Sequence, residues 1–170
     1  MSDNVIFAGQ HNVYQKLRGL WVNMIDQLDC NCCWAITVAA TATSDYYRRT
    51  LLRKHQLSPQ DILDRVWYYY YEDVKNKKRD TAGCFQCGLR IPFELVRDKG
   101  VGFLEDYPFE AKLNEKKDPV QKSEYPRIVI EDFQMRMTKL KVFEALTVET
   151  RIVIGVIDVT NEFCDYKGVL

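Results

Sequence analysis

The stretch Gln27-Leu28-Asp29-Cys30-Asn31-Cys32-Cys33-Trp34-Ala35 holds the side chains best suited to chemistry. Cys33 stands at the start of a long helical pattern, with the amide of Gln27 six residues upstream. A thiol at a helix N-terminus lies among unpaired backbone N–H groups, which favour the thiolate, the form that attacks carbonyl carbon. An amide donor beside it supplies half of an oxyanion hole. A base is harder to find, because the only histidines are His11 and His55. His55 falls twenty-two residues beyond Cys33 on what reads as the same helix, a separation of roughly 33 Å at the helical rise. His11 lies in an irregular N-terminal segment whose path the sequence does not fix. Asp29 can perturb the thiol, but a carboxylate is a poor proton donor to a leaving amine near neutral pH.

Two other chemistries use overlapping residues. Cys30-x-x-Cys33 and Cys84-x-x-Cys87 form a literal pair of metal knuckles suited to tetrahedral zinc, although their separation exceeds that of a usual zinc ribbon. If zinc is bound, Cys33 is a ligand and not a nucleophile. Lys75-Asn76-Lys77-Lys78-Arg79 follows Trp67-Tyr68-Tyr69-Tyr70-Tyr71, a combination that serves nucleic-acid binding by charge and stacking. Lys+Arg and Asp+Glu balance at 24 each, so a solvated loop after a helix with a buried aromatic face is the plainer account. Neither nucleic acid nor a membrane is expected as a partner, since no apolar run approaches a membrane span.

Three helices must position these groups. From Leu20 to Ser58 there is neither Gly nor Pro, and Ile36, Ala40, Thr43, Tyr47 and Leu51 recur on one face. That spacing predicts a helix over 33–53, with Asn31 or Cys32 near its N-cap and Cys33 in its first turn. Ser58-Pro59-Gln60-Asp61 is a capping signal with Pro at the first helical position, and Ile62, Leu63, Val66, Trp67 and Tyr70 continue the helix. A third helix is expected over 92–99, ended by Gly100. The segment 71–79 and the charged stretch 114–126 read as links. After Pro126 the pattern changes: Arg127-Ile128-Val129-Ile130 and the run 151–158 are β-branched and read as strands. Helices first and strands later predict an α+β arrangement within one domain of ordinary size, 170 residues.

These residues carry a resemblance. Gln27, Cys30 and Cys33-Trp34-Ala35 stand at the spacing of the papain-like cysteine peptidases. Leu57-Ser58-Pro59-Gln60-Asp61-Ile62-Leu63-Asp64 looks like the second helix of that family. Gly83-Cys84, Gly100 and Tyr107-Pro108-Phe109-Glu110 look like its next stretch, and Asn161 to Gly168 is similar to the segment before its histidine region. The likeness runs over roughly Gly19 to Leu170, most of the chain.

The resemblance implies a papain-like fold, with a helical lobe over 1–126, including an N-terminal extension, and the first strands of an incomplete β-rich lobe over 127–170. It implies Cys33 as nucleophile, with Gln27 and the Cys33 backbone N–H as oxyanion donors. Trp34, Gln86 and Cys87 would lie along the substrate groove. Cys30 and Cys84 match a family disulfide, whereas Arg65 occupies a cysteine position of the next one, whose partner is also missing. Where the family has a Gly-Gly pair lining the groove, this chain has Gln86-Cys87, whose side chains narrow the approach of a substrate backbone.

The family's catalytic histidine and orienting asparagine are expected beyond Leu170, so the chain reads as C-terminally truncated, and peptide-bond cleavage by these residues alone is expected to be weak or absent. The rival readings are a non-catalytic protein that binds a peptide or protein, and the four-cysteine zinc protein. Expected partners are a substrate-like peptide or protein, a second copy of the chain, or a full-length peptidase; no cofactor is implied. The family implies a vacuolar, lysosomal or extracellular setting, while Met1-Ser2-Asp3-Asn4-Val5 lacks the start of a secretory signal, so the compartment stays open.

Overall fold

A computed structural model describes residues 22–23, 25–50, 55–115 and 126–135, with positions 138, 140–141, 144–145, 152 and 154 beyond them. The helices whose full extent lies among the described residues are α1 (Cys33–Thr50), α2 (Pro59–Tyr69), α3 (Tyr71–Val74) and α4 (Arg90–Lys99). No described helix is long and apolar enough to cross a membrane.

Helix α1 begins where the Cys32 carbonyl accepts the Ile36 N–H, so Cys32 is its N-cap and Cys33 its first residue. Its deepest stripe is Ala35, Val38, Ala39 and Ala42, with Trp34, Thr43 and Tyr47 also buried. Small side chains there let α2 pack closely. The predicted stripe is therefore rotated: Ile36 and Ala40 are only half-buried and line an apolar cavity of about 210 Å³ with Val22, Ile25 and Leu57. Leu51 lies outside the described residues, and His55 is not helical, so the expectation of one helix carrying both Cys33 and His55 is not met.

Helix α2 starts as its sequence predicts. The Ser58 hydroxyl accepts the Asp61 N–H at 3.0 Å and donates to the Tyr107 carbonyl at 2.6 Å. Pro59 needs no partner for an absent N–H, and its φ is already helical. Every residue from Pro59 to Trp67 is buried, including Gln60, Asp61, Asp64 and Arg65. Those polar groups bind the chain that wraps α2. Asp64 accepts hydrogen bonds from Gln60, the Tyr107 hydroxyl, and the Asn114 backbone and side chain. Arg65, at the position where the resemblance has a cysteine, donates to the Lys99 and Gly100 carbonyls and faces Asp61.

Two departures concern links and strands. The link 71–79 contains the one-turn helix α3, whose Val74 is buried. Helix α4 begins at Arg90, two residues before the predicted Pro92, and ends at Gly100 as predicted. Among the described residues there is no strand ladder, only isolated antiparallel bridges that pair Leu57 with Phe103, Arg79 with Phe85, and Val101 with Ile128. The β-branched run 127–130 thus contributes one bridge rather than a strand, and the predicted β-rich lobe is not seen among the described residues. Of the run 151–158 only Ile152 and Ile154 are described, neither in a strand.

Candidate functional site

The chain reaches Cys33 through a tight turn. Leu28 takes a left-handed conformation (φ 51°), its N–H bonds the Asp26 carboxylate at 2.9 Å, and the Cys30 N–H bonds the Gln27 carbonyl at 3.1 Å. For a leucine that conformation costs about 1–2 kcal/mol, so the surrounding contacts must hold it. The half-buried Gln27 sits at one end of this turn and the buried Cys30 at the other.

Three ties fix the segment to the chain after α3. A disulfide joins Cys30 to Cys84, with Cα atoms 5.2 Å apart. Asp80 accepts the Asn31 N–H at 2.6 Å through one oxygen, and the Ala82 and Cys84 N–H groups at 2.9 and 2.8 Å through the other. The Trp34 indole N–H donates to the Phe85 carbonyl at 2.7 Å. Asp80 was not singled out from the sequence. The signal that would have found it is the turn pattern Asp80-Thr81-Ala82-Gly83, in which Asp binds backbone N–H groups two and four residues on and Gly83 supplies a positive φ of 76°.

These ties sort the sulfurs. Cys30 and Cys84 are bonded to each other, so two of the four proposed zinc ligands are not free thiolates. Among the described residues no group of three or more His, Cys, Asp or Glu is placed to hold a metal ion. Cys32 is buried, and its pKa is pushed up to about 12 by that burial, helped by neighbouring Cys33 and Asp80. Cys87 is half-buried, and burial raises its pKa to about 11 while Lys77 pulls the other way. Cys33 is the exposed free thiol among the described cysteines. Burial decides among the three thiols.

The remaining predicted site residues fall as follows. Trp34 is 3% exposed, packed on Phe85 with ring centroids 5.4 Å apart, so it braces the Cys33 segment from inside the core instead of lining a groove. Gln86 is exposed and Cys87 half-buried, both directly after the carbonyl that Trp34 holds. His55 packs against Phe103 and pairs with Glu105. Phe103 in turn packs on Tyr46, thirteen residues along α1 from Cys33, which is about 20 Å at the helical rise. His11 lies outside the described residues. The aromatic run is split, since Trp67 is buried under the Arg79 guanidinium at 4.0 Å whereas Tyr68, Tyr69 and Tyr71 are exposed.

A helical scaffold that presents one exposed thiol at a helix start, braced by a disulfide, fits a cysteine-type hydrolase. The chain belongs to the papain family of cysteine proteases, whose family model matches residues 15–170. Among curated relatives, it is 33% identical to "Cathepsin L 1" and 32% identical to "Cathepsin L 2", both of Paramecium tetraurelia, over 87 residues in each case. Each match covers 51% of this chain and 24% of the relative, so it spans about a quarter of the length of those proteins.

Proposed function

We propose that these residues form the nucleophile half of a thiol peptidase site. Cys33 attacks a peptide carbonyl, while the Gln27 side-chain amide and the Cys33 backbone N–H hold the oxyanion. The observation that carries this reading is the exposure of Cys33 at the first residue of α1, where Cys32 and Cys87 are withdrawn. In the reaction the thiolate adds to the carbonyl carbon, the tetrahedral oxyanion collapses to a thioester, and the amine leaves with a proton. Water then hydrolyses the thioester.

The proton is the difficulty. An imidazole is the group suited to give it to the amine, and the described histidine, His55, is engaged instead by Phe103 and Glu105, while His11 lies outside the described residues. Without a general acid the thiol still captures reactive electrophiles, but amide turnover falls by several orders of magnitude, roughly 10³ or more. Efficient proteolysis then requires an imidazole from beyond the described residues or from a peptidase-like partner chain. Holding a peptide without turnover is the second reading, and the engagement of His55 by Glu105 and Phe103 favours it.

An epoxide thiol probe, mapped by peptide mass spectrometry, together with a fluorogenic peptide assay tests both. Stoichiometric labelling at Cys33, with any turnover abolished in Cys33→Ala, is the expected result. Labelling elsewhere, or turnover that survives Cys33→Ala, removes the thiol mechanism. Labelling without turnover selects the binding role.

A further inference from the structure

We propose that Lys77-Lys78 is a processing site, cut by an endopeptidase selective for basic residues, and that the two resulting chains stay joined by the Cys30–Cys84 disulfide.

The segment between α3 and Arg79 carries the inference. Residues 75–78 are exposed without a break, and Lys75, Lys77 and Lys78 among them are cations. A peptidase must draw the bond it cuts out of the fold, which is why exposed polar loop tips are nicked first. Little holds this segment back. The Lys75 N–H bonds the Tyr71 carbonyl at 2.7 Å, and the Lys77 N–H bonds the Val74 carbonyl at 2.9 Å. Both acceptors belong to α3, a single turn of helix, too short to persist by itself. Lys75 also pairs with Glu72, and an exposed pair of that kind adds little. Firm anchors stand on either side. Val74 is 1% exposed, while Arg79 pairs with Glu115, covers Trp67 and bridges to Phe85. A break between those anchors leaves both new ends held.

The other cations within 55–115 are protected by their backbone. Arg65 is buried, and Arg90, Arg97 and Lys99 belong to α4. Lys112 is exposed, yet the peptide unit after it is pinned twice. Its carbonyl accepts the Gln60 amide at 2.7 Å, and the Leu113 N–H donates to the Ala82 carbonyl at 3.0 Å. Side-chain charge alone would not single out 75–78; the loose backbone does.

Hydrolysis adds one water across the Lys77–Lys78 or Lys78–Arg79 bond, leaving a carboxylate on one piece and an amine on the other. One chain then carries Gln27, Cys33 and α1 to α3, and the other carries Gln86, Cys87 and α4. Cys30 lies in the first and Cys84 in the second, so a reductant becomes the agent that frees one from the other.

Limited digestion of the full chain with trypsin, whose specificity pocket holds a carboxylate, tests this under native conditions. The earliest cut within 55–115 should give a new N-terminus at Lys78 or Arg79 by mass spectrometry. The pieces should run together without reductant and apart with it. In Lys75→Gln/Lys77→Gln/Lys78→Gln, three changes at exposed positions that leave Arg79 over Trp67, cutting in this segment should slow by about a hundredfold or more. An earlier cut after Arg90, Arg97, Lys99 or Lys112, an unchanged rate in the triple variant, or pieces that part without reductant overturns the proposal. N-terminal sequencing of the protein recovered from its own cells should show the same second terminus, and an unbroken chain there removes the processing role.

Discussion

Asp64 illustrates what a single buried side chain does for this fold. It lies on α2 with 2% of its surface exposed and takes four hydrogen bonds, three of them from Tyr107 and Asn114, far along the chain. Burial raises its pKa above the usual carboxylate range, and the donated hydrogen bonds only partly offset that. The sign follows from proton counting. Between the unfolded pKa and the raised folded pKa, the folded protein holds more protons than the unfolded chain, so this group's contribution to stability declines as pH rises through that window and is flat above it. Urea unfolding of the wild type and of Asp64→Asn at a series of pH values isolates the effect. Relative to the variant, the wild type should lose stability as pH climbs through the window and remain constant beyond it. A difference independent of pH would contradict the raised pKa. The residue was legible in the sequence only as part of a helix pattern. Its burial was not, because a helical wheel cannot show that a strap from elsewhere will cover the polar face.

At the scale of elements, the C-terminus of α4 meets the segment 126–130 at Gly100. Its φ of 69° is open to glycine, and an added Cβ would stand 3.0 Å from the Arg127 Cβ and 3.1 Å from both the Ile128 carbonyl and Val129 Cγ1. The paired N–H···O bonds between Val101 and Ile128, both 2.9 Å, depend on that approach. Gly100→Ala should therefore cost about 1–3 kcal/mol in equilibrium unfolding and speed hydrogen exchange at the Val101 and Ile128 amides. Unchanged exchange there would show that the segments do not rely on each other. Arg65 works in the same corner. A guanidinium bonded to two carbonyls ties α2 to the end of α4 without a covalent link, in the place where the family resemblance has a cysteine. The glycine was readable as a helix stop from its position alone. The crowding around it was not, because that depends on a segment more than twenty residues away.

For the whole molecule, the Cys30–Cys84 disulfide closes a loop with a sequence separation of 54. Closing a loop of that length in the unfolded chain is worth about 4 kcal/mol in the chain-entropy model. The double variant Cys30→Ser/Cys84→Ser should accordingly unfold at lower denaturant by an amount equivalent to about 2–4 kcal/mol. It should also leave Asp80 and the Trp34 indole as the remaining described ties between the Cys33 segment and the chain after α3. Faster alkylation of the normally buried Cys32 is the companion readout. Retention of both stability and Cys32 protection would mean that the hydrogen bonds suffice alone.

The sequence by itself determined the local features: the start of α1 at Cys33, the Ser58 cap with Pro59 behind it, and the stop at Gly100. It determined as well the family to which a short stretch of Gln, Cys and Trp belongs. Such signals are local because caps, periodicity and motif spacing are set by neighbours within a turn or two. Only the tertiary structure decided which of Cys32, Cys33 and Cys87 is exposed, which face of α1 is deepest, and which charges on α2 are buried. It alone placed Asp80 against Asn31 and turned the run at 127–130 into a single bridge. Those outcomes depend on segments distant in sequence meeting in space, and burial is a property of that meeting rather than of any residue type.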